Sequence, residues 1–404
     1  MPGVARQHRS LQVGFLTATK AWGGTEAHTL AVARALASRG HSVVILQLGH
    51  DAYTTRGASD LGAGVSAVGV NLPGPARGLP SRYWRQLLQS HRVDMVVVPK
   101  GSFRVRYRGL DLAMLTSRRP RISIEHATPP DPPVRTSRRH LAGLLPGLGL
   151  WHLRFRAGVA LHRAAFGTVI AVADAIKQRM VEDYGYTGDA VTVIHNGIDV
   201  SRFHDDPEAR AATRQLWGIP AAAFVFGTMA RLVPEKRLDR LLHAFRGIAA
   251  DSEPWLVVVG SGPEAGALHA LAAELGLGER CVWAGESRAA WSAYPALDCF
   301  VSSSDVEGLP YALLEAMACE RIPVATDAGG VSEVVIDKVT GRLTGQDPAA
   351  LESAMREVMA YPREARAAIG RRAREQVVEH HDQLVQIAAV ATLIEQVSDA
   401  GGAA

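Results

Sequence analysis

Cysteine is scarce in this sequence, and its three cysteines, Cys281, Cys299 and Cys319, form neither a CxxC pair nor a zinc-ligand spacing. Their arrangement argues against a disulfide framework and a structural zinc site, and it indicates small buried residues in a reducing compartment. No apolar run approaches the roughly 20 residues that cross a bilayer. The polar start, MPGVARQHRS, lacks the pattern of a signal peptide. We therefore expect a cytoplasmic protein.

Signatures of cofactor and metal binding are also missing. The sequence contains no GxGxxG dinucleotide fingerprint and no acidic DxD-type pair with the local context of a divalent-ion site. Asp305 follows Ser304 close to the motif described below, but a single carboxylate is poor evidence for magnesium. We therefore expect no metal and no cofactor in the chemistry.

Charge is distributed unevenly along the chain. Residues 1–190 carry 25 Lys and Arg against 11 Asp and Glu, a balance of +14, and the remainder carries 19 against 29, a balance of −10. The two balances sum to the net charge of +4. A basic first half indicates an anionic partner, and nucleic acid, an anionic membrane surface and an anionic acceptor all fit.

Short apolar runs alternate with helical segments in both halves of the chain. A helix is predicted at Thr25 to Arg39, and a long one over 371–397. This alternation predicts parallel sheets with helices on both faces, and 404 residues exceed one ordinary core. We therefore expect an α/β protein with two doubly wound, Rossmann-like domains that face each other across a cleft and are joined near 195–203. The predicted strands lie at 13–16, 42–48, 95–98, 121–124, 168–172, 191–194, 224–227, 255–260, 281–283, 298–301 and 322–325.

The most informative motif is EGLPYALLE, in which Glu307 and Glu315 lie eight positions apart. Pro310 suits the first turn of a helix, because its fixed φ fits and its missing N–H is not needed there. Gly308 lets the backbone approach a ligand closely, and the free N–H groups of a helix start attract phosphate. An anion between two carboxylates suits a sugar nucleotide. By itself, the spacing would also fit an amphipathic helix with two solvated carboxylates.

This motif resembles the E-x7-E motif of retaining glycosyltransferases of family 4, which have the GT-B fold. The resemblance covers most of the chain, is strongest over 191–335 and is weaker over 50–160, where acceptors bind. It implies that Glu307 binds the donor sugar and Glu315 the ribose, while the N–H groups near Gly308 and Leu309 stabilise the diphosphate.

The resemblance also implies the domain boundaries. An N-terminal, acceptor-side domain would cover 1–194, and a C-terminal domain that binds the nucleotide sugar would cover 195–379. In GT-B proteins the last segment crosses back, so residues 380–404 would pack on the first domain. The segment VIHNGID, residues 193–199, is similar to the one that opens the second domain in the family, and its Asn-Gly pair predicts a turn with positive φ.

A basic pair follows the strand that ends at Thr228. Arg231 and Lys236 lie five positions apart in ARLVPEK, and a planar guanidinium fork with a mobile ammonium can clamp two phosphates from different directions. In the family, an R-x4-K pair does this and helps the nucleotide diphosphate to leave. These residues alone would also fit a solvated basic turn paired with Glu235 and Asp239.

Two further candidate sites follow predicted strands in the first half of the chain. Gly23 and Gly24 precede a predicted helix, where two glycines permit a tight turn, and they resemble the GG-x-E loop that lies under the donor diphosphate. His126 ends a strand, where α/β sheets bind ligands, and in similar enzymes a histidine here contacts the donor sugar. Glu125 is the second candidate for a polar contact.

Three glycine-containing loops match places where the family's backbone holds ligands. Gly262 lies in one loop, and Ser287 and Arg288 lie in another, where main-chain groups are expected to contact the nucleobase. Gly329 and Gly330 match a GG-x-x-E loop that supports the EGLP loop. Main-chain contacts leave little side-chain signature, so the identity of the base stays open.

Residues 127–158 depart from the alternating pattern. Four prolines open the segment, and arginines then flank a leucine-rich run that includes Trp151. Basic residues beside an apolar surface are typical of a membrane interface. A flexible acceptor-side loop packed on the domain would give the same composition. The first alternative would place the protein peripherally on the inner face of the cell membrane.

Together these features favour a retaining, metal-independent glycosyltransferase. It would move a sugar from a UDP- or GDP-sugar to a glycan or lipid-linked acceptor, as in surface polysaccharide, lipopolysaccharide or glycolipid assembly. His126, Glu307, Arg231 and Lys236 are the catalytic candidates. A GT-B sugar-nucleotide epimerase is the alternative. A nucleic-acid-binding protein is a distant one, because the arginines are scattered and no aromatic stacking platform is evident.

Overall fold

The computed structural model describes residues 9–18, 22–49, 52–55, 58–101, 107–129, 146–250, 252–286 and 290–402. The chain forms two compact units. Unit 1 comprises Met1–His195 together with Ile387–Ala404, and unit 2 comprises Asn196–Gln386. The chain therefore leaves unit 1 once and returns to it for its last helix.

Within the described residues, unit 1 contains a seven-stranded sheet in which every pair is parallel, in the order β3-β2-β1-β4-β5-β6-β7. The order reverses beside β1, which is the mark of a doubly wound sheet. Its strands are β1 (Gln12–Thr17), β2 (Ser42–Leu48), β3 (Val65–Val70), β4 (Met95–Lys100), β5 (Arg121–Glu125), β6 (Val169–Ala171) and β7 (Val191–Val193).

Helices connect these strands, as parallel pairing requires. They are α1 (Gly24–Ser38), α2 (Ala58–Leu61), α3 (Ser81–Ser90), α4 (Arg108–Leu115), α5 (Pro146–Ala165) and α6 (Asp174–Tyr184), with 3₁₀ turns at Ala76–Gly78 and Gly188–Ala190. Helix α6 ends at Gly185, whose φ of 71° is left-handed and suits glycine.

Unit 2 repeats the scheme with a six-stranded parallel sheet in the order β10-β9-β8-β11-β12-β13, counted over its described residues. Its strands are β8 (Val225–Met229), β9 (Trp255–Val259), β10 (Cys281–Gly285), β11 (Cys299–Ser302), β12 (Ile322–Thr326) and β13 (Arg342–Thr344). Its helices are α7 (Pro207–Leu216), α8 (Leu238–Ala249), α9 (Ala265–Glu274), α10 (Ala290–Ala293), α11 (Tyr311–Ala318), α12 (Pro348–Ala360) and α13 (Arg363–His380). Its 3₁₀ turns are Pro234–Lys236, Gly278–Arg280, Tyr294–Ala296 and Gly329–Glu333, and α14 (Gln383–Gly402) runs from unit 2 into unit 1.

The core of each unit lies between its sheet and the flanking helices. In unit 1 the central strands β1, β2 and β4 are almost wholly buried, and Trp84 packs beneath them with no exposed surface. In unit 2 the core joins strand residues such as Phe226 to the buried face of α8, including Phe245. Continuous burial of both strand faces explains why these segments are apolar runs without alternation.

The predicted α/β fold with two doubly wound domains is confirmed, but two strands were missed. VSAVGV in β3 contains a glycine and is buried only at its two end valines, and β13 has three residues. Both lie at a sheet edge, where the hydrophobic signal is weakest.

The single helix predicted over 371–397 is wrong. Helix α13 ends at His380 and α14 begins at Gln383. Between them, Asp382 forms a bridge with Ile198, and the Ile198 N–H donates to the His381 carbonyl at 2.9 Å. A long-range contact therefore breaks the helix. No helix among the described residues combines the length and the apolar composition that crossing a membrane requires.

Candidate functional site

A cavity lies in unit 2 at the carboxyl ends of β8 and β11, the edge where open α/β sheets bind ligands. Strand β8 and the loop after it contribute Thr228, Lys236 and Leu238 to its wall. The other wall is built from the serine run 302–304, Glu307 and Pro310. Two sequence motifs therefore meet in one place.

Lys236 and Glu307 form the polar centre of this cavity. The Lys236 ammonium donates to Glu307 Oε1 at 2.6 Å, and the Ser304 hydroxyl donates to the same oxygen at 2.6 Å. Glu307 is 8% exposed, so these charge-assisted bonds compensate its loss of water. The alternative of two solvated glutamates on an amphipathic helix is therefore excluded for Glu307.

Asp305 fixes the two loops that carry this pair. Its carboxylate accepts from Arg237 at 3.0 Å and from Arg240 at 2.6 Å, and its N–H donates to the Glu235 carbonyl at 3.0 Å. Arg237 has a left-handed φ of 47°, which turns the chain between Lys236 and α8. Asp305 is thus engaged by two arginines and holds the lysine loop in place.

Arg231 lies exposed on the loop after β8, and two glycines shape that loop. A Cβ on Gly260 would lie 1.9 Å from the Ala230 carbonyl oxygen, and one on Gly262 would lie 2.3 Å from the Leu232 carbonyl oxygen. The Leu232 N–H also donates to the Ser261 carbonyl at 2.8 Å. Gly262, which was predicted to lie at the nucleobase, therefore allows the arginine loop to pack.

The EGLP loop is held through its carbonyls. The Gly308 oxygen accepts from the Gly330 N–H at 2.8 Å, which is the predicted contact between the two glycine loops, and the Leu309 oxygen accepts from the Asn196 amide at 2.7 Å. Pro310 precedes α11 as its N-cap residue rather than lying in its first turn. The start of α11 thus lies beside the Lys236–Glu307 pair.

Asn196 connects this loop to the start of unit 2. Its side-chain oxygen accepts from the Tyr311 hydroxyl at 2.9 Å, and its carbonyl lies 3.0 Å from His381 Nδ1. The predicted positive φ at the Asn-Gly pair is wrong, since neither Asn196 nor Gly197 is among the residues with positive φ. Glycine is needed at 197 because a Cβ there would lie 2.8 Å from Gln383 Cα.

Glu315 lies in the second turn of α11, and its Oε2 accepts from the Tyr294 hydroxyl at 2.5 Å. Tyr294 is fully buried. Burial raises the pKa of Glu315 above its ordinary value, although the Tyr294 bond and the nearby Arg202 charge oppose that rise. The sequence did not mark Tyr294 as a site residue, because its partner is 21 positions away.

In unit 1, His126 follows β5 as predicted, and its N–H donates to the Lys100 carbonyl at 3.0 Å. Among the described residues, neither of its enclosed ring nitrogens has a hydrogen-bond partner. Its ring lies edge-on to that of His28, with centroids 4.7 Å apart. Burial lowers the pKa of His28 to about 4, and burial followed by the His28 charge lowers the pKa of His126 well below its ordinary value. Both imidazoles are therefore neutral at pH 7.

Gly23 and Gly24 stand at the start of α1, the helix that carries His28. Gly23 is the N-cap residue with an extended backbone, and its carbonyl accepts from the Ala27 N–H at 3.0 Å. The structure therefore places both glycines at the predicted helix N-terminus.

A buried charge cluster at the ends of β4 and β5 was missed. Lys100 donates to Glu125 Oε1 at 2.9 Å and also contacts His162 Nε2, while His162 Nδ1 lies 2.9 Å from an Asp111 oxygen. Glu125 has no exposed surface, so the cluster, rather than a ligand, explains its position. A lysine ending the apolar run MVVVPK was the available signal, but its partners lie far away in sequence.

The remaining predicted positions fall elsewhere. Ser287 and Arg288 lie outside the described residues, as do residues 130–145 of the predicted membrane segment. Residues 146–158 belong to α5. The structure thus joins Lys236, Glu307, Gly308 and Leu309 in unit 2 and places Gly23, Gly24 and His126 in unit 1.

Each half of the chain matches a protein-family model. Residues 22–202 match the model described as "Glycosyltransferase Family 4". Residues 209–376 match the model "Glycosyl transferases group 1". The second match contains the whole cavity described above.

Among curated proteins, the chain is similar to a GDP-mannose-dependent alpha-(1-6)-phosphatidylinositol monomannoside mannosyltransferase of Mycolicibacterium smegmatis. The two are 35% identical over 182 residues, which is 42% of this chain and 47% of that protein. It is also similar to a D-inositol 3-phosphate glycosyltransferase of Saccharomonospora viridis, with 32% identity over 216 residues, or 50% of this chain and 49% of that protein. The chain thus spans about half the length of the curated relatives it matches.

Among solved structures, the chain is similar in fold to the Anabaena protein Alr3699/HepE in complex with UDP and glucose. The TM-score is 0.76 at 21% identity, and the match covers 96% of this chain and all of that one, at 100%. At this identity the likeness concerns the fold alone.

Proposed function

Because the chain belongs to the GT4-like glycosyltransferases, we propose that it transfers a sugar from a nucleotide-diphosphate sugar to an acceptor hydroxyl with retention at the anomeric carbon. The observation that carries this proposal is the Lys236–Glu307 pair, 2.6 Å apart at the ligand edge of unit 2 and beside the start of α11. This arrangement combines a cation and a helix N-terminus for phosphate with a carboxylate for sugar hydroxyls.

The proposed reaction is a front-face displacement. The bond between the anomeric carbon and the β-phosphate oxygen breaks, the acceptor oxygen bonds to that carbon, and the acceptor proton passes to the leaving diphosphate. Arg231, Lys236 and the N–H groups near Gly308 and Leu309 stabilise the charge that develops on the diphosphate. Glu307 then accepts hydrogen bonds from the sugar. This division of labour needs neither a metal nor a cofactor.

The neutral His126 is proposed to contact a sugar hydroxyl. A neutral imidazole offers one donor and one acceptor, which suits hydroxyl groups. Both of its ring nitrogens are enclosed without partners among the described residues, which supports a ligand there.

For the donor and acceptor, the relatives suggest specific first candidates. Four curated relatives are named as GDP-mannose-dependent mannosyltransferases and four others as D-inositol 3-phosphate glycosyltransferases. We propose GDP-mannose as the first donor to test and an acceptor that carries a phosphorylated inositol, free or in a lipid. The +14 balance of residues 1–190 supports an anionic acceptor.

The test measures transfer from GDP-mannose, UDP-glucose, UDP-N-acetylglucosamine and ADP-glucose to inositol phosphate and to phosphatidylinositol vesicles, with NMR of the product anomer. We expect one donor to give an anomer-retained product, with rates unchanged by EDTA. Glu307→Gln should abolish transfer, whereas Glu364→Gln at the exposed start of α13 should not. Full activity of the Glu307 variant would contradict the proposed site. Conversion of the donor to an epimer without an acceptor would replace transfer by epimerisation.

A further inference from the structure

Tyr294 occupies a special place in unit 2. It starts the 3₁₀ turn Tyr294–Ala296, has no exposed surface, and packs against the rings of Phe203 and Phe300 with centroids 5.9 and 6.2 Å away. Its hydroxyl is the one polar atom of a large apolar side chain, and it is directed at Glu315 Oε2 at 2.5 Å. Aromatic packing therefore fixes the direction in which the hydroxyl points.

Glu315 is the second glutamate of the motif, and the family resemblance predicts that it binds the ribose of the donor. A carboxylate has two oxygens with two lone pairs each, and Tyr294 uses one lone pair. Two vicinal hydroxyls, such as those of ribose, need both carboxylate oxygens in one orientation. A free glutamate side chain rotates about three bonds and must lose that freedom on binding.

The charge of Arg202 acts on the same carboxylate. Arg202, whose guanidinium carbon lies 3.6 Å from the Trp291 ring centroid, favours the ionised form of Glu315. The carboxylate thus has a buried hydroxyl as its hydrogen-bond partner, and the charge of a stacked arginine opposes the effect of burial on its pKa. The Tyr294 hydroxyl fixes the position of Glu315 Oε2.

From this geometry we infer that Tyr294 is a positioning residue that orients the Glu315 carboxylate for the two ribose hydroxyls, and so determines selection for ribonucleotides. The inference rests on the proposed function, because it needs a nucleotide at this site. Tyr294 itself does not touch the ligand. Its effect is expressed as a preference for the ribose form.

The experiment measures calorimetric dissociation constants of UDP and GDP and of their 2′-deoxy and 3′-deoxy analogues. For the unsubstituted protein we expect the ribose form of the preferred nucleotide to bind about tenfold more tightly than the deoxy forms, since each lost hydrogen bond to a charged group is worth about a factor of ten. Glu315→Gln should remove most of that preference. Tyr294→Phe should reduce it to about threefold and raise the donor KM without changing kcat.

Tyr311→Phe is the matched control. It also removes a tyrosine hydroxyl bonded within unit 2, to Asn196, and it lies on the same helix as Glu315. A structural perturbation of α11 would affect both phenylalanine variants, whereas orientation of Glu315 requires only Tyr294. The control should keep the tenfold preference.

The outcomes separate the two levels of the argument. If Glu315→Gln keeps the ribose preference, the proposed ribose role is wrong. If Glu315→Gln loses it and folded Tyr294→Phe keeps it, the role of Tyr294 is overturned while the proposed function stands. Should Tyr294→Phe not fold, NMR of tyrosine-labelled protein decides the question. The Tyr294 ring signal must shift on binding the ribose form and not the 3′-deoxy form, and equal shifts overturn the inference.

Discussion

The two units have the same architecture but treat charge at the ligand edge in opposite ways. In unit 2, Lys236 and Glu307 face a cavity, and Asp305 holds the loops around them. In unit 1, Lys100 and Glu125 are sealed beneath the edge, and the residue that follows, His126, is neutral. The sheet edge of unit 2 therefore has charged side chains that line a cavity, whereas the charged side chains at the sheet edge of unit 1 are buried.

This difference teaches that a doubly wound fold supplies the place for a ligand but not its chemistry. A charged edge suits a diphosphate, and an edge of neutral imidazoles suits hydroxyl groups. Four substitutions can break or sharpen this contrast, and they are ordered here by the size of the expected effect.

The largest effect is expected on the stability of unit 1. Lys100→Met would leave Glu125 buried without its cation, which should cost about 3 to 5 kcal/mol. Thermal unfolding should be followed by fluorescence and by calorimetry. The melting temperature of unit 1 should fall, and that of unit 2 should stay unchanged. Lys177→Met on α6 is the control and should have little effect. An unchanged melting temperature of unit 1 would mean that the buried Lys100 cluster does not stabilise the unit.

The next effect is on catalysis at unit 2. Lys236→Ala removes the cation of the charged edge and should lower kcat/KM about 10²- to 10³-fold, because diphosphate stabilisation is lost. Initial rates with the preferred donor measure this. Lys338→Ala, on an exposed loop of the same unit, should behave as the unsubstituted protein. Equal rates for both variants would refute a charged donor edge.

A third test uses pH. His28 has a pKa of about 4 in the folded protein against an ordinary value near 6.5, so the unfolded chain binds its proton first as pH falls. The contribution of neutral His28 to the free energy of unfolding is fully present above pH 6.5. It declines as the pH falls towards 4, by about 3 kcal/mol at most. Chemical unfolding at several pH values should show this slope. The slope should become shallower in His28→Phe, although burial still lowers the pKa of His126 there.

The matched control for this titration lies in unit 2, where His243 is exposed on α8. His243→Phe should leave the slope unchanged. If His28→Phe keeps the full slope, groups other than His28 cause the pH dependence of the free energy of unfolding.

The smallest effect concerns loop packing in unit 2. Gly262→Ala would place a Cβ 2.3 Å from the Leu232 carbonyl oxygen and displace the loop of Arg231. Overpacking of this kind costs about 1 to 3 kcal/mol, so donor affinity should fall about tenfold. Gly266→Ala, which meets nothing within 4 Å, is the control for calorimetric titration. Equal affinities would show that the arginine loop tolerates displacement.

Local sequence was sufficient for the fold and for part of the site. Buried parallel strands are continuous apolar runs, and the EGLP and R-x4-K motifs are short and local. The Lys100 cluster, Tyr294 and the break after His380 depend on partners far away in sequence, and no local breaker lies between His380 and Gln383. The roles of the site residues, Glu307 and Lys236 included, remain predictions.

The return of the chain to unit 1 determines the order in which the two units can be completed during synthesis. Unit 2 occupies residues 196–386, and unit 1 is completed only by residues 387–404. Because a protein is made from its N-terminus, the whole of unit 2 can fold while unit 1 still lacks its last helix. Unit 1, which is begun first, can therefore be completed only after the whole of unit 2 has been made.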